Sequence, residues 1–187
     1  MTDKELLEIA KDAGFSAAII PTEKIVVDSK FRPFCEENLC GNYGANYACP
    51  PDCGSVEEVR QRLMAQNRAL VLQTIWDIGS YENKKGIQDA KKAHGVAIFQ
   101  LMEKLRQLGL QGFCLGYGGC SLCSPCKRIE NQPCAHPDRK ISCLSAYCVD
   151  VAKLAEQSGL KFAWTPEKLY LFGMYAFDEV AVNNHTD

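Results

Sequence analysis

The chain has 187 residues, a formal net charge of -2 and 47% apolar residues. That length allows one domain with a core of its own, and the balanced charge lacks the basic excess of a dedicated nucleic-acid binder. No apolar run approaches the roughly 20 residues of a membrane helix, and the start lacks the basic flank and apolar block of a signal peptide. We therefore expect a cytoplasmic protein with no nucleic-acid or membrane partner.

Thr2 and Glu5 have the spacing of a capping box. They open a helix whose apolar face is Leu6, Leu7, Ala10 and Ala13, and Gly14 suits its stop. The stretch FSAAIIPTEKIVVD reads as one or two strands broken at Pro21. Ser55 and Glu58 form a second capping box, opening a helix to about Asn67. ALVLQTIW reads as a buried strand. Residues 83–108 are helical by the spacing of Ile87, Ala90, Ala97, Leu101, Leu105 and Leu108, with Gly109 as the cap. GFCLGY is a short strand. A helix is expected over 144–158, stopped at Gly159. KFAW, a Thr165–Pro166 turn and KLYLFGMYAF suggest a hairpin. The predicted fold class is α+β: a single domain over residues 1–182, an open mixed sheet with packed helices and two cysteine-rich loops, followed by a frayed tail over 183–187.

Eleven cysteines are present, at 35, 40, 49, 53, 114, 120, 123, 126, 134, 143 and 148. The odd count and the clustering read as metal ligands or redox thiols in a reducing compartment before they read as disulfides. Cys120, Cys123, Cys126 and Cys134 give C-x2-C-x2-C-x7-C. Structural zinc usually takes two C-x2-C pairs separated by a longer segment. Three successive cysteines at x2 spacing suit a chain curling round the corners of a 4Fe–4S cube, as in the bacterial ferredoxin run C-x2-C-x2-C-x3-C-P. This sequence leaves that run after the third cysteine, since Pro133 precedes Cys134 instead of following it. The spacing supports a cluster and not a ferredoxin fold, and zinc stays open as the alternative.

Gly116, Gly118 and Gly119 precede the triplet. Gly118 and Gly119 are read as cofactor-binding, because bare backbone lets amides approach cluster sulfurs. Lys127, Arg128, His136, Arg139 and Lys140 lie near by. Such cations would offset thiolate charge or dock an anionic redox partner protein, and His136, two residues after Cys134, is read as a further cofactor contact.

The first cysteine loop holds Cys35, Cys40, Cys49 and Cys53 as C-x4-C-x8-C-x3-C, a weaker signal that no common spacing rule names. Four cysteines so close, with Pro50 and Pro51 stiffening the loop, point to a second metal site. Cys53 is the least secure ligand of the four. Cys114, Cys143 and Cys148 read as small buried hydrophobes. His94, inside the long helix, reads as structural or exposed. No G-x-G-x-x-G, P-loop or Ser–His–Asp pattern is present.

Two passages carry a resemblance: C-x4-C-x2-YG-x4-CPP at 35–51, and C-x-LC-x2-C-x6-PC-x-HP at 120–137, followed by Asp150 and Val151. Together they resemble the predicted metal-binding protein family, domain of unknown function 2284. The resemblance implies Cys35, Cys40, Cys49, Cys120, Cys123, Cys126 and Cys134 as ligands. Cys53, Cys114, Cys143 and Cys148 fall outside its pattern. The family's occurrence, largely in anaerobic bacteria and archaea, suits oxygen-sensitive clusters. The functional expectation is a 4Fe–4S protein with one or two clusters, working in electron transfer or reduction. The alternatives are a zinc-stabilised binding module and a thiol-based metal carrier.

Overall fold

The computed structural model describes residues 1–178. Helix α1 (Asp3–Asp12) has its capping box: Thr2 Oγ1 accepts the Glu5 amide, and Glu5 Oε2 accepts the Thr2 amide at 2.7 Å. Two free amides are thus satisfied, while Leu6 and Ala10 turn inward. Strand β1 (Ser16–Pro21) ends at the proline, and short 3-10 turns lead to α2 (Arg32–Glu36). The first cysteine loop follows, then α3 (Val56–Met64), again under a capping box, here Ser55 with Glu58. Next come β2 (Arg68–Asp77), α4 (Lys84–Gln107) and β3 (Gly112–Gly116). The second cysteine loop leads to β4 (Ser142–Cys143), α5 (Val151–Ser158) and β5 (Lys168–Phe177).

The strands form one open sheet in the order β1-β2-β5-β3-β4. β5 lies in the middle, antiparallel to β2 from Arg68↔Phe177 to Asp77↔Lys168 and antiparallel to β3 from Gly112↔Phe177 to Leu115↔Met174. β1 is antiparallel to β2, while β4 runs parallel to β3 with Gly116 opposite Cys143. The fold is α+β, with a mixed sheet.

Two local expectations are corrected. The hairpin does not form: residues 161–164 make no strand, and only a Thr165–Lys168 bridge marks the turn. β5 is apolar on both faces and so takes the central position, between β2 and β3. The helix expected over 144–158 starts only at Val151, where Asp150 accepts the Lys153 amide as its cap. Residues 144–148 turn instead, and Cys148 takes a left-handed φ of 55. The expected tail lies outside the described residues.

Both faces of the sheet are covered. Leu70, Leu72, Tyr175 and Phe177 pack against Leu6 of α1 and Ile98, Leu101 and Leu105 of α4. On the other face Val71, Phe172 and Met174 meet Val59 and Leu63 of α3, Leu154 of α5 and the 144–149 turns. Burying such a side chain is worth about 1.5–3 kcal/mol, so the sheet provides a stiff frame for the loops at its end. Gly173 lets α4 come close: a Cβ there would sit 2.5 Å from Cδ1 of Ile98 on α4. No helix among the described residues is long and apolar enough to cross a membrane.

Candidate metal centres

The two cysteine loops meet beyond the end of β3. Asn46, only 4% exposed, joins them: its Nδ2 donates to the Cys120 carbonyl at 2.9 Å, and its Oδ1 accepts the Ala48 amide at 3.0 Å. The Tyr47 hydroxyl donates to the Gln132 carbonyl at 2.7 Å, and Arg128 pairs with Asp52 at 2.7 Å. Asn46 was invisible as a clamp in the sequence, because an asparagine between glycine and proline turns reads as an ordinary loop residue.

On the α5 side of the sheet lies a cavity of about 350 Å³. Cys35 comes to it from α2, Cys40 and Cys49 from the first loop, and Cys143 from the end of β4; Phe172 and Tyr170 of β5 form part of its wall. Phe34 and Leu39 at its edge are 64% and 88% exposed. Burial pushes the Cys35 thiol up to about 11, and the neighbouring charge of Cys143 adds to this, while Arg32 opposes it. Cys49 is also raised by burial, then by the charges of Cys143, Cys40, Cys53 and Cys35. Thiols that hinder one another's ionisation in a shared space become thiolates together when a cation joins them. Four thiols lining one cavity are the kind of donor set that a thiolate-loving metal group takes.

Two cysteines depart from their expected places. Cys53 does not line the cavity. It is 3% exposed, and its thiol faces the Gly54 and Ala146 carbonyls at 3.8 Å each, on the side where Arg62 and Tyr147 lie. Cys143, read as a buried hydrophobe, stands on the cavity wall, and its Sγ accepts the Ala146 amide at 3.3 Å.

Cys120, Cys123, Cys126 and Cys134 line a second, smaller pocket together with His136 and Lys140, and Asn46, Tyr47 and Ala48 close it from the first loop. Gly118 and Gly119, expected beside these cysteines, face the first cavity instead. Gly118 has φ +75, and a Cβ on Gly119 would sit 2.8 Å from Asn42 Oδ1 and 3.1 Å from Asn46 Nδ2. The bare backbone therefore makes room for the clamp. Of the expected cations, Lys127 pairs with Glu130 and Arg139 with Glu103, both at 3.0 Å, leaving Lys140 and His136 on the pocket. Among the described residues no three Cys, His, Asp or Glu side chains gather closely enough to hold a single metal ion. Cys114 is buried in β3 and Cys148 under the 144–149 turns, as small apolar groups.

The two spaces share a wall. Ala48 faces the second and Cys49 the first; Gly119 faces the first and Cys120 both joins the clamp and lines the second. No curated protein and no solved structure matches the chain. The family described as Predicted metal-binding protein (DUF2284) matches residues 18–176. That span runs from β1 to β5 and contains both cysteine loops, and the chain belongs to this family of predicted metal-binding proteins.

Proposed function

We propose that the protein binds 4Fe–4S clusters and serves electron transfer or a reductive step with a redox partner protein. The observation that carries this reading is the second pocket: cysteines at C-x2-C-x2-C intervals, with Cys134 completing four thiols around one space. Short, regular intervals let successive thiolates reach successive corners of a cube. Sulfur donors also favour iron–sulfur clusters or zinc over magnesium and calcium.

In this reading Cys120, Cys123, Cys126 and Cys134 hold one cluster, and Cys35, Cys40 and Cys49 belong to a second site. A bound cluster supplies reversible one-electron chemistry. The chain's own residues set the conditions for it. Asn46 fixes the Cys120 carbonyl and so the first turn of the ligand run. Lys140 places positive charge beside thiolates that together are strongly negative, and Tyr47 and Ala48 wall the pocket from the first loop.

The test is metal and acid-labile sulfide on anaerobically purified protein, with a visible spectrum before and after dithionite. We expect about four irons and as many sulfides per occupied site, and a brown absorption that bleaches. Zinc without colour from cells supplied with iron under anaerobic conditions would overturn the redox reading and favour a zinc-stabilised binding module.

A further inference from the structure

We propose that Cys143 is the fourth thiol of the first site, and that Cys53 is not a ligand. This rests on the reading that the first cavity binds metal, and it holds whichever metal that is.

Cys35, Cys40, Cys49 and Cys143 all wall the cavity, while Cys53 lies behind it. Their anchorage differs. Cys35 sits on a five-residue helix, and Cys40 and Cys49 sit on a loop. Cys143 is held in a β ladder, opposite Gly116, which itself faces the cavity. A ligand on a strand is positioned more sharply than one on a loop, so Cys143 is the fixed point against which the loop thiols close.

The sulfur's surroundings agree. The chain turns back after Cys143 so that the Ala146 amide donates to its Sγ at 3.3 Å. Amide donors to sulfur offset thiolate charge and are a regular feature around ligated cysteines. At Cys53 the residue's own amide and Arg32 approach the sulfur, but the thiol is directed at two carbonyls, those of Gly54 and Ala146 at 3.8 Å each. Arg32 lies near it, but Nη2 of Arg32 donates to the Gly54 and Ala146 carbonyls at 3.2 Å. Arg62 is committed to the Cys53 carbonyl at 3.1 Å and to the Tyr147 hydroxyl at 2.7 Å. That corner joins α3 to the 144–149 turns and opens on a separate cavity, where Cys53 meets Arg62 and Tyr147 and not the thiols of Cys35, Cys40 and Cys49.

Three thiols close in sequence plus one from a distant strand also explain why the first loop matches no spacing rule. Its fourth member lies past the second loop. Binding would tie α2 and the first loop to the sheet edge at β4.

The experiment compares Cys143→Ala, Cys53→Ala and Cys143→Ser with the parent protein after anaerobic reconstitution with iron and sulfide. Metal and sulfide per chain, low-temperature EPR of the reduced form and far-UV circular dichroism are read for each. Cys143→Ala is expected to keep about half the metal, that of the Cys120 site, while Cys53→Ala keeps all of it. In Cys143→Ser an oxygen ligand is expected to shift the EPR of one cluster, which a non-ligand serine would leave alone. A full metal load and an unshifted spectrum in the Cys143 variants overturn the proposal. So does equal or greater loss from Cys53→Ala with unchanged dichroism. Zinc in the parent protein would sink the iron–sulfur reading alone, and zinc content of the two alanine variants would still decide between the thiols.

Discussion

His94 is fully buried on α4, edge-on to Phe15 with ring centroids 5.7 Å apart. Its Nδ1 lies 2.8 Å from the Thr74 hydroxyl, which also accepts the Trp76 indole N–H at 2.8 Å. Because indole only donates, the Thr74 proton is free for Nδ1, and the ring carries its own proton on Nε2. Nε2 faces the Phe172 carbonyl without a full hydrogen bond. Burial lowers the pKa of His94 from 6.5 to about 4. The folded state thus keeps a neutral ring that the unfolded chain would protonate. The associated stability is complete above pH 6.5 and is lost as pH falls toward 4, by about 3 kcal/mol across the window. Urea unfolding at pH 7 and pH 4.5 is expected to show a smaller drop for His94→Gln than for the parent. Equal drops would refute the assignment. The sequence placed His94 on its helix but could not say which way it faced, since its partners are on β2.

Asn46 shows how single elements depend on distant ones. Replacing it by alanine leaves the Cys120 carbonyl and the Ala48 amide without their partners. Each such buried group costs on the order of 1–3 kcal/mol. Asn46→Ala is expected to unfold at lower urea and to release metal faster to a chelator. Gln132→Ala, whose side chain is exposed on the second loop, should behave like the parent; matching behaviour of the two variants would show that Asn46 does not clamp the loops. The same locality explains what was legible in the sequence. Both capping boxes were visible because each lies within four residues, and β2 was visible because its two apolar faces make a continuous run. The cysteine quartet at 120–134 was legible from spacing alone. Cys143 was not: ISCLSAYC looks like core, and only its pairing with Gly116 across the sheet turns it toward the cavity. The expected hairpin failed for a similar reason, because β5 finds better partners in β2 and β3 than in the residues just before it.

At the scale of the whole molecule, the sheet and its helices have two apolar faces that do not depend on the cysteine loops alone. Stripping metal is therefore expected to lower the melting temperature while leaving the far-UV spectrum largely intact. Faster hydrogen exchange should be confined to residues 35–53 and 117–143; collapse of protection in β2 and β5 would show that metal holds the entire fold. The order of the strands carries one more consequence. β5 occupies the centre of the sheet yet follows the other four described strands in the chain, so β1–β2 and β3–β4 remain separate pairs until it arrives. During synthesis both cysteine loops leave the ribosome before Tyr170 and Phe172, which wall the first cavity. The pocket of Cys120, Cys123, Cys126 and Cys134 takes no wall from β5, whereas the first cavity stays open until β5 emerges. The thiols of that first cavity are then the ones a half-made chain leaves most open to oxidation.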